Sequence, residues 1–325
     1  MKPIRLALAA LALLLALGAA PGARAQNWPT KTVKLIAVFP PGGSVDQVAR
    51  ILAQQLTEQT GQSVIVDNRA GASGSIGTAA VAKADPDGYT LGVVFDTHAV
   101  NPSLIPSLPF DTLRDLTPLM LVGTGAMALV TNVAQPYQSF RDVVAAAKAK
   151  PGGVSYGTIG AGSLGHLAMT QLGNQLGVEF NHIPYRGGGP LLNDALGNQV
   201  PLAIGSVFLV YPHIESGRLR AIAVTSAKPD PKLPNVEPIA NQGVPGFEAY
   251  TWWGIFGPAN MPSALTQRVY EELAKAVKSP AVMDKLSAQG MEVRGAPPEQ
   301  LDAFVRKEIP RWAKVIKDNN IRSGD

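Results

Sequence analysis

Four times along this chain an apolar run breaks at a glycine-rich turn and then opens an amphipathic segment. The four stretches are VKLIAVFPPGGSVDQVARIL from Val33, SVIVDNRAGASGSIGTAAVAK from Ser63, VSYGTIGAGSLGHLAMTQL from Val154 and HIPYRGGGPLLNDAL from His182. A strand-like run feeding a helix-like one, repeated, calls for parallel sheet covered by helices. Each junction also leaves unpaired backbone N–H groups at the positive end of a helix dipole, which is a seat for an anion. No comparable cluster of catalytic or metal-binding side chains occurs, so the pattern points to binding rather than chemistry.

The beginning of the chain is a separate matter. Lys2 and Arg5 flank the run LALAALALLLALGAA, and Ala23-Arg24-Ala25 offers a small-x-small cleavage site before Gln26. This reads as a secretory signal peptide over residues 1–25, and the run is too short for a confident membrane span. Export to the bacterial periplasm follows as the expectation. Those residues carry Lys2, Arg5 and Arg24 and no acid, so the mature charge is 28 − 3 = 25 basic against 24 acidic side chains, or +1, rather than the formal +4. A near-neutral surface gives no electrostatic case for nucleic acid or anionic membrane. The absence of cysteine removes disulfides, zinc–thiolate sites and thiol nucleophiles. The 300 mature residues suffice for a large core in two domains.

Periodicity predicts strands over 33–39, 63–67, 90–95 and 219–225, and helices over 44–59, 74–83 and 139–149. Two long, glycine-interrupted extended segments, 116–132 and 246–262, bracket the second strand–helix series, and two helices, near 263–278 and 297–320, close the chain. Leaving one α/β unit by one long strand and returning by another predicts two lobes joined by paired crossover strands. The expected lobes are 26–125 with 250–325, and 126–249. Ligands in open α/β sheets lie at the carboxyl ends of strands.

At the first junction, Ser44 with Gln47 spells a capping box, Asp46 complements the helix dipole, and Gly42 and Gly43 let a ligand approach backbone amides. At the second, the small residues around Ser73 and Ser75 either floor a pocket or allow close helix–sheet packing. The third literally matches G-x-G-x-x-G at Gly160, Gly162 and Gly165, but the acid that a dinucleotide ribose needs is misplaced, because Glu179 opens the next strand. It also approximates a nucleophile elbow at Ser163, with Asp194 and His213 downstream, so an exported serine hydrolase is the alternative reading. Under the binding reading, Ser163 caps a helix and offers its hydroxyl to a carboxylate. At the fourth, Arg186 either pairs with a ligand carboxylate or is solvated. His98, His166, His182 and His213 lack metal-ligand spacing, and no metal or cofactor is expected. Tyr250, Trp252 and Trp253 read as interlobe packing with a possible ring at the ligand.

The runs around Trp28–Ile36, PPGGSVDQVAR, VDNRAGASGSIGTAAVAKADPDGYTL, DTHAVNPSL, HIPYRGGGPLLNDALGNQV and WWGIFGPANMP together resemble the Bug family of TctC-like extracytoplasmic receptors. The resemblance spans the mature chain in order. It implies a two-lobed periplasmic-binding-protein fold of type II (Venus-flytrap), a small carboxylate ligand (a dicarboxylate, an acidic amino acid or a nicotinate-like compound), no catalysis, and hand-over to membrane subunits like TctA and TctB or to a sensor, the receptor being a monomer. It places pocket loops on Phe39, Pro40, Gly42, Gly43 and Ser44; on Ser73 and Ser75; on Thr97 and His98; on Thr158, Gly160, Gly162, Ser163 and His166; on Tyr185, Arg186 and Gly187; and on Gly205 and Ser206. Asp96 departs from the family's small or uncharged residue, and a carboxylate there favours an amino-acid-like or amide-bearing ligand.

Overall fold

A computed structural model describes residues 28–322; the signal-peptide reading of 1–25 lies outside them. β1 (Val33–Ala37) is almost wholly buried and lies parallel between β2 (Val64–Asn68) and β3 (Thr90–Phe95). The helices between them, α1 (Ser44–Thr60) and α2 (Ser75–Ala82), cover the sheet. α1 buries Val45, Val48, Ala49, Leu52, Ala53 and Leu56, the spacing of one helix face, and stops at Gly61, whose φ of 70° is left-handed.

The 17-residue β4 (Leu116–Asn132) organises the rest. Its first part, Leu116–Ala126, runs antiparallel to β9 (Tyr250–Pro258), which in turn pairs with β3, and also takes up β10 (Glu292–Ala296). Its second part, from Met127, pairs antiparallel with β7 (Leu202–Ser206) and β8 (Leu219–Val224). Beyond β7 lie β5 (Ser155–Thr158) and β6 (Asn181–Pro184), both parallel. The path is β2-β1-β3-β9-β4-β7-β5-β6, with β8 and β10 off it on β4. The parallel pairing expected of the strand–helix series holds inside the units and not where the crossover strands link them. Each α/β unit is parallel within itself, while β4 and β9, which link the units, run against their neighbours, because a strand that returns the chain to its starting unit must reverse direction.

Among the described residues two stretches connect the halves of the sheet: β4 at Ala126–Met127, and the chain between β8 and β9. Thr225 ties them together. Its hydroxyl accepts from the Met127 amide at 2.9 Å and donates to the Ala249 carbonyl at 2.6 Å, and the Ala249 amide returns a bond to the Thr225 carbonyl at 3.0 Å.

The remaining helices are α3 (Thr97–Leu104), α4 (Phe140–Ala149), α5 (Leu164–Leu176), α6 (Gly188–Leu196), α7 (Val207–Glu215), α8 (Ser263–Lys278), α9 (Pro280–Ala288) and α10 (Pro298–Asp318). The chain end differs from the two helices expected. Beyond the helix expected to end near 278, Ser279 caps a further helix with Pro280 at its start, and Glu292–Ala296 adds a strand. The capping box at Ser44 is also corrected. Gly43 is the N-cap, and it is Asp46 that reaches back to accept from the Gly42 amide at 3.0 Å, held by Arg50 at 2.9 Å and Asn68 at 2.9 Å.

Candidate ligand-binding cleft

The four glycine junctions converge in pairs between the two halves of the sheet. The first meets the fourth backbone to backbone. A methyl group on Gly43 would lie 3.5 Å from the Gly188 and Gly189 nitrogens; one on Gly189 would fall 2.4 Å from the Pro41 carbonyl oxygen, and one on Gly187 would fall 2.5 Å from Pro40 Cδ. At Gly187 and Gly189 the approach is too close for any side chain, whereas Gly43 is in ordinary contact distance. The second meets the third, where the Ser73 hydroxyl donates to the Ala161 carbonyl at 2.8 Å and Asn101 Nδ2 donates to the Ser73 carbonyl at 3.0 Å.

Between the junctions lies a cavity whose walls are mostly apolar: Phe39, Val45, Phe95, Met127, Ile159, Ile204 and Leu209, with the backbone of Gly43, Gly165, Gly188 and Gly205. Its polar side chains are Ser44, Asp96 and Ser206. Ser206 immediately precedes α7, and its hydroxyl is buried with no hydrogen-bond partner. A buried polar group without a partner costs about 1–3 kcal/mol, so such a group facing a cavity marks a place for a partner. The centres of water-sized spheres sweep about 20 Å³ here, room for roughly one water. A small organic acid fits only if the first and fourth junctions move apart.

Asp96 follows β3 and is 1 % exposed. Its Oδ2 accepts from the Thr251 hydroxyl of β9 at 2.6 Å, whereas Oδ1 has no well-formed hydrogen bond. Burial raises its pKa to about 7; the Thr251 hydroxyl and the nearby Thr97 and Leu164 amides oppose the rise, and the Glu308 carboxylate adds to it. Leu164 is the first residue of α5, so a carboxylate from one half of the sheet faces the positive end of a helix belonging to the other.

Of the residues expected at the ligand, the structure brings Phe39, Gly43, Ser44, Asp96, Gly205 and Ser206 to the cavity. Pro40, Gly42 and Gly187 form the backbone contact that closes it, and Ser73 and Gly160 lie where the other junction pair meets. The others have structural work. Thr158 donates to the Gly160 carbonyl at 3.0 Å and bonds His182 Nε2 at 2.8 Å. Ser163 caps α5 by accepting from the His166 amide at 3.4 Å, and His166 Nδ1 accepts from the Gly162 amide at 3.1 Å while its ring stacks 4.0 Å from His182. Tyr185 donates to Asp194 at 2.8 Å, and Arg186 is exposed. Ser75 and Thr97 are buried away from the cavity lining. His98 is enclosed by Phe110, Trp252 and Phe256, and burial drives its pKa down to about 3, so it is a neutral core residue. Trp253 bridges the halves, with its ring 5.2 Å from Phe95 and 5.5 Å from Phe208.

Apart from Phe39, the apolar wall went unread in the sequence, although Phe95, Ile159 and Ile204 sit at or near the carboxyl ends of β3, β5 and β7, where a ligand of an open α/β sheet is met. No triad assembles around Ser163: Asp194 is engaged by Tyr185, and His213 is perturbed by burial and Arg218 rather than by a carboxylate. Among the described residues no three His, Asp or Glu side chains group as a metal site requires.

Two α/β units joined by crossing strands, with the starts of α1 and α7 at a shared cavity, have the architecture of a two-lobed solute-binding protein. The chain belongs to the TctC family, tripartite tricarboxylate transporter family receptors, whose sequence profile matches residues 48–321. It is 38 % identical over 307 residues to protein BugT of Bordetella pertussis, covering 94 % of each chain, and 35 % identical over 320 residues to a UPF0065 protein from the tcbD-tcbE intergenic region of Pseudomonas sp. strain P51, covering 98 % of this chain and 95 % of that one. Among solved structures it is similar to Rpa4515 of R. palustris with adipate (TM-score 0.87, 34 % identity, 91 % of this chain and 99 % of that one) and to the periplasmic binding protein BugD (0.87, 32 %, 91 % and 99 %). MatC of Rhodopseudomonas palustris with bound malate follows (0.83, 26 %, 89 % and 100 %). The fold is thus that of the periplasmic binding proteins.

Proposed function

We propose that this protein is a receptor, without turnover, for a small carboxylate that it encloses between lobes formed by residues 26–125 with 250–325 and by 126–249. The observation that carries the reading is the Ser206 hydroxyl, buried and unpartnered beside the first turn of α7, at a cavity between the two halves. A hydroxyl and helical amides suit a carboxylate, and the solved relatives named with adipate and malate agree with that class. Secretion by a signal peptide cut before Gln26 and hand-over of the cargo by a monomeric receptor to TctA- and TctB-like membrane subunits complete the proposal.

Thermal-shift screening of the protein, unfolded and refolded to strip co-purified cargo, should find a small acid that raises the melting temperature. Excess over the dissociation constant by about 100-fold should stabilise by about 2.7 kcal/mol. Ester hydrolysis by the wild type that disappears in Ser163→Ala would instead establish a hydrolase.

The cavity volume sets a second expectation. Because the empty cleft has room for about one water, it must open to admit cargo, and cargo then favours a form in which the two lobes close on it rather than on each other. Small-angle scattering should show a smaller radius of gyration after adding the acid found in the screen; an equal radius in both samples would count against lobe closure.

A further inference from the structure

We infer that Asp96 is a specificity residue of this cleft, and that the preferred cargo is a small acid carrying an N–H donor, an ammonium or an amide, at the end opposite its carboxylate. The inference rests on the carboxylate-receptor reading above and extends it to the other end of the ligand.

The cavity has two unsatisfied buried polar atoms in an otherwise apolar enclosure, and they differ in character. Ser206 Oγ, on a residue 5 % exposed, can donate, and it stands at a helix start where anions are favoured. Asp96 Oδ1, on a residue 1 % exposed, has no well-formed hydrogen bond, while Oδ2 is already taken by the Thr251 hydroxyl. Three donors face this carboxylate: the Thr251 hydroxyl and the Thr97 and Leu164 amides. Oδ2 is engaged by Thr251, whereas Oδ1, without a well-formed hydrogen bond, is open to a further donor, and one supplied there also favours the ionised carboxylate that burial opposes. A plain diacid brings a second acceptor to that position and would face a like charge out of water, whereas an ammonium or carboxamide supplies the missing hydrogen. The lining between the two ends, Phe39, Val45, Phe95, Met127, Ile159 and Leu209, asks for a hydrocarbon or aromatic linker rather than a hydroxylated one.

Matched ligands on three skeletons test this by calorimetry: succinate, succinamate and 4-aminobutyrate; adipate, adipamate and 6-aminohexanoate; and terephthalate with 4-carbamoylbenzoate. On the skeleton that fits, the amide or amine should bind at least about tenfold tighter than the diacid, the scale of one hydrogen bond to a charged group. Asp96→Asn, and Asp96→Ser as a second uncharged variant, should erase that preference, whereas Ser206→Ala should weaken both partners alike because it acts on the carboxylate they share. A diacid that binds as tightly as its amide partner, with the ranking unchanged in both Asp96 variants, overturns the inference and leaves the receptor reading standing. No binding of any compound to any of the proteins overturns the receptor reading and the inference with it.

Discussion

Asp96→Asn is expected to stabilise the protein at pH 8 by up to about 4 kcal/mol and to change little at pH 4. The native pKa of about 7 stands about three units above that of an unfolded aspartate, and each unit is worth about 1.4 kcal/mol. The folded protein therefore holds this proton more tightly than the unfolded chain does. Asp96 stabilises fully at low pH, and its contribution is lost as pH rises through 7. His98, two residues away, has the opposite sign. Its native pKa of about 3 lies below the ordinary value near 6.5, so its contribution is present above pH 6.5 and is lost as pH falls toward 3. Between about pH 4 and 6.5 the two slopes cancel in the wild type. Asp96→Asn removes one of them, so the variant should lose stability steeply on acidification over the range where the wild type stays level. Urea unfolding from pH 4 to 8 measures both curves, and parallel profiles would sink this account.

Gly189→Ala should separate closing from folding. Gly189 lies in the first turn of α6 with no left-handed φ, so alanine suits the helix by up to about 1 kcal/mol and should leave the melting temperature of the stripped protein no lower than that of the wild type. The closed cleft has no such tolerance. The added methyl would lie 2.4 Å from the Pro41 carbonyl oxygen, a backbone atom across the cleft. Relieving an overlap of that kind costs about 1–3 kcal/mol, so the empty variant should populate the fully closed form less, and its radius of gyration should exceed that of the stripped wild type. Small-angle scattering and melting on the same preparation decide between this and a plain folding defect, which would lower the melting temperature.

The alternating pattern made the α/β units legible, and β4 was read residue for residue because glycines interrupt an otherwise apolar run too long for an ordinary strand. The end of α8 was read correctly near 278, but α9 and β10 were missed because the nine helical residues beginning at Pro280 are short, and EVRGA is too polar to announce a strand whose register is set by β4. The cleft was legible as backbone: the glycines and small hydroxyls of the junctions mark close approach. What that pattern could not show is which partner each hydroxyl finds. Ser163, Thr158 and Ser206 look alike in sequence, yet Ser163 and Thr158 spend their oxygens on their own turns and Ser206 alone of the three faces the cavity without a partner. His98 misled for a related reason. A histidine beside a turn suggests a ligand contact, but Phe110, Trp252 and Phe256 reach it from distant parts of the chain.

Thr225 has a mechanical consequence for the closing motion proposed above. Because one buried hydroxyl joins Met127 on the outgoing strand to Ala249 on the returning one, the two connections cannot bend independently. The two crossings are coupled where they meet, so bending one draws on the hydrogen bonds of the other, and the Met127 and Ala249 amides should resist hydrogen exchange equally in the stripped and loaded protein while flanking positions respond.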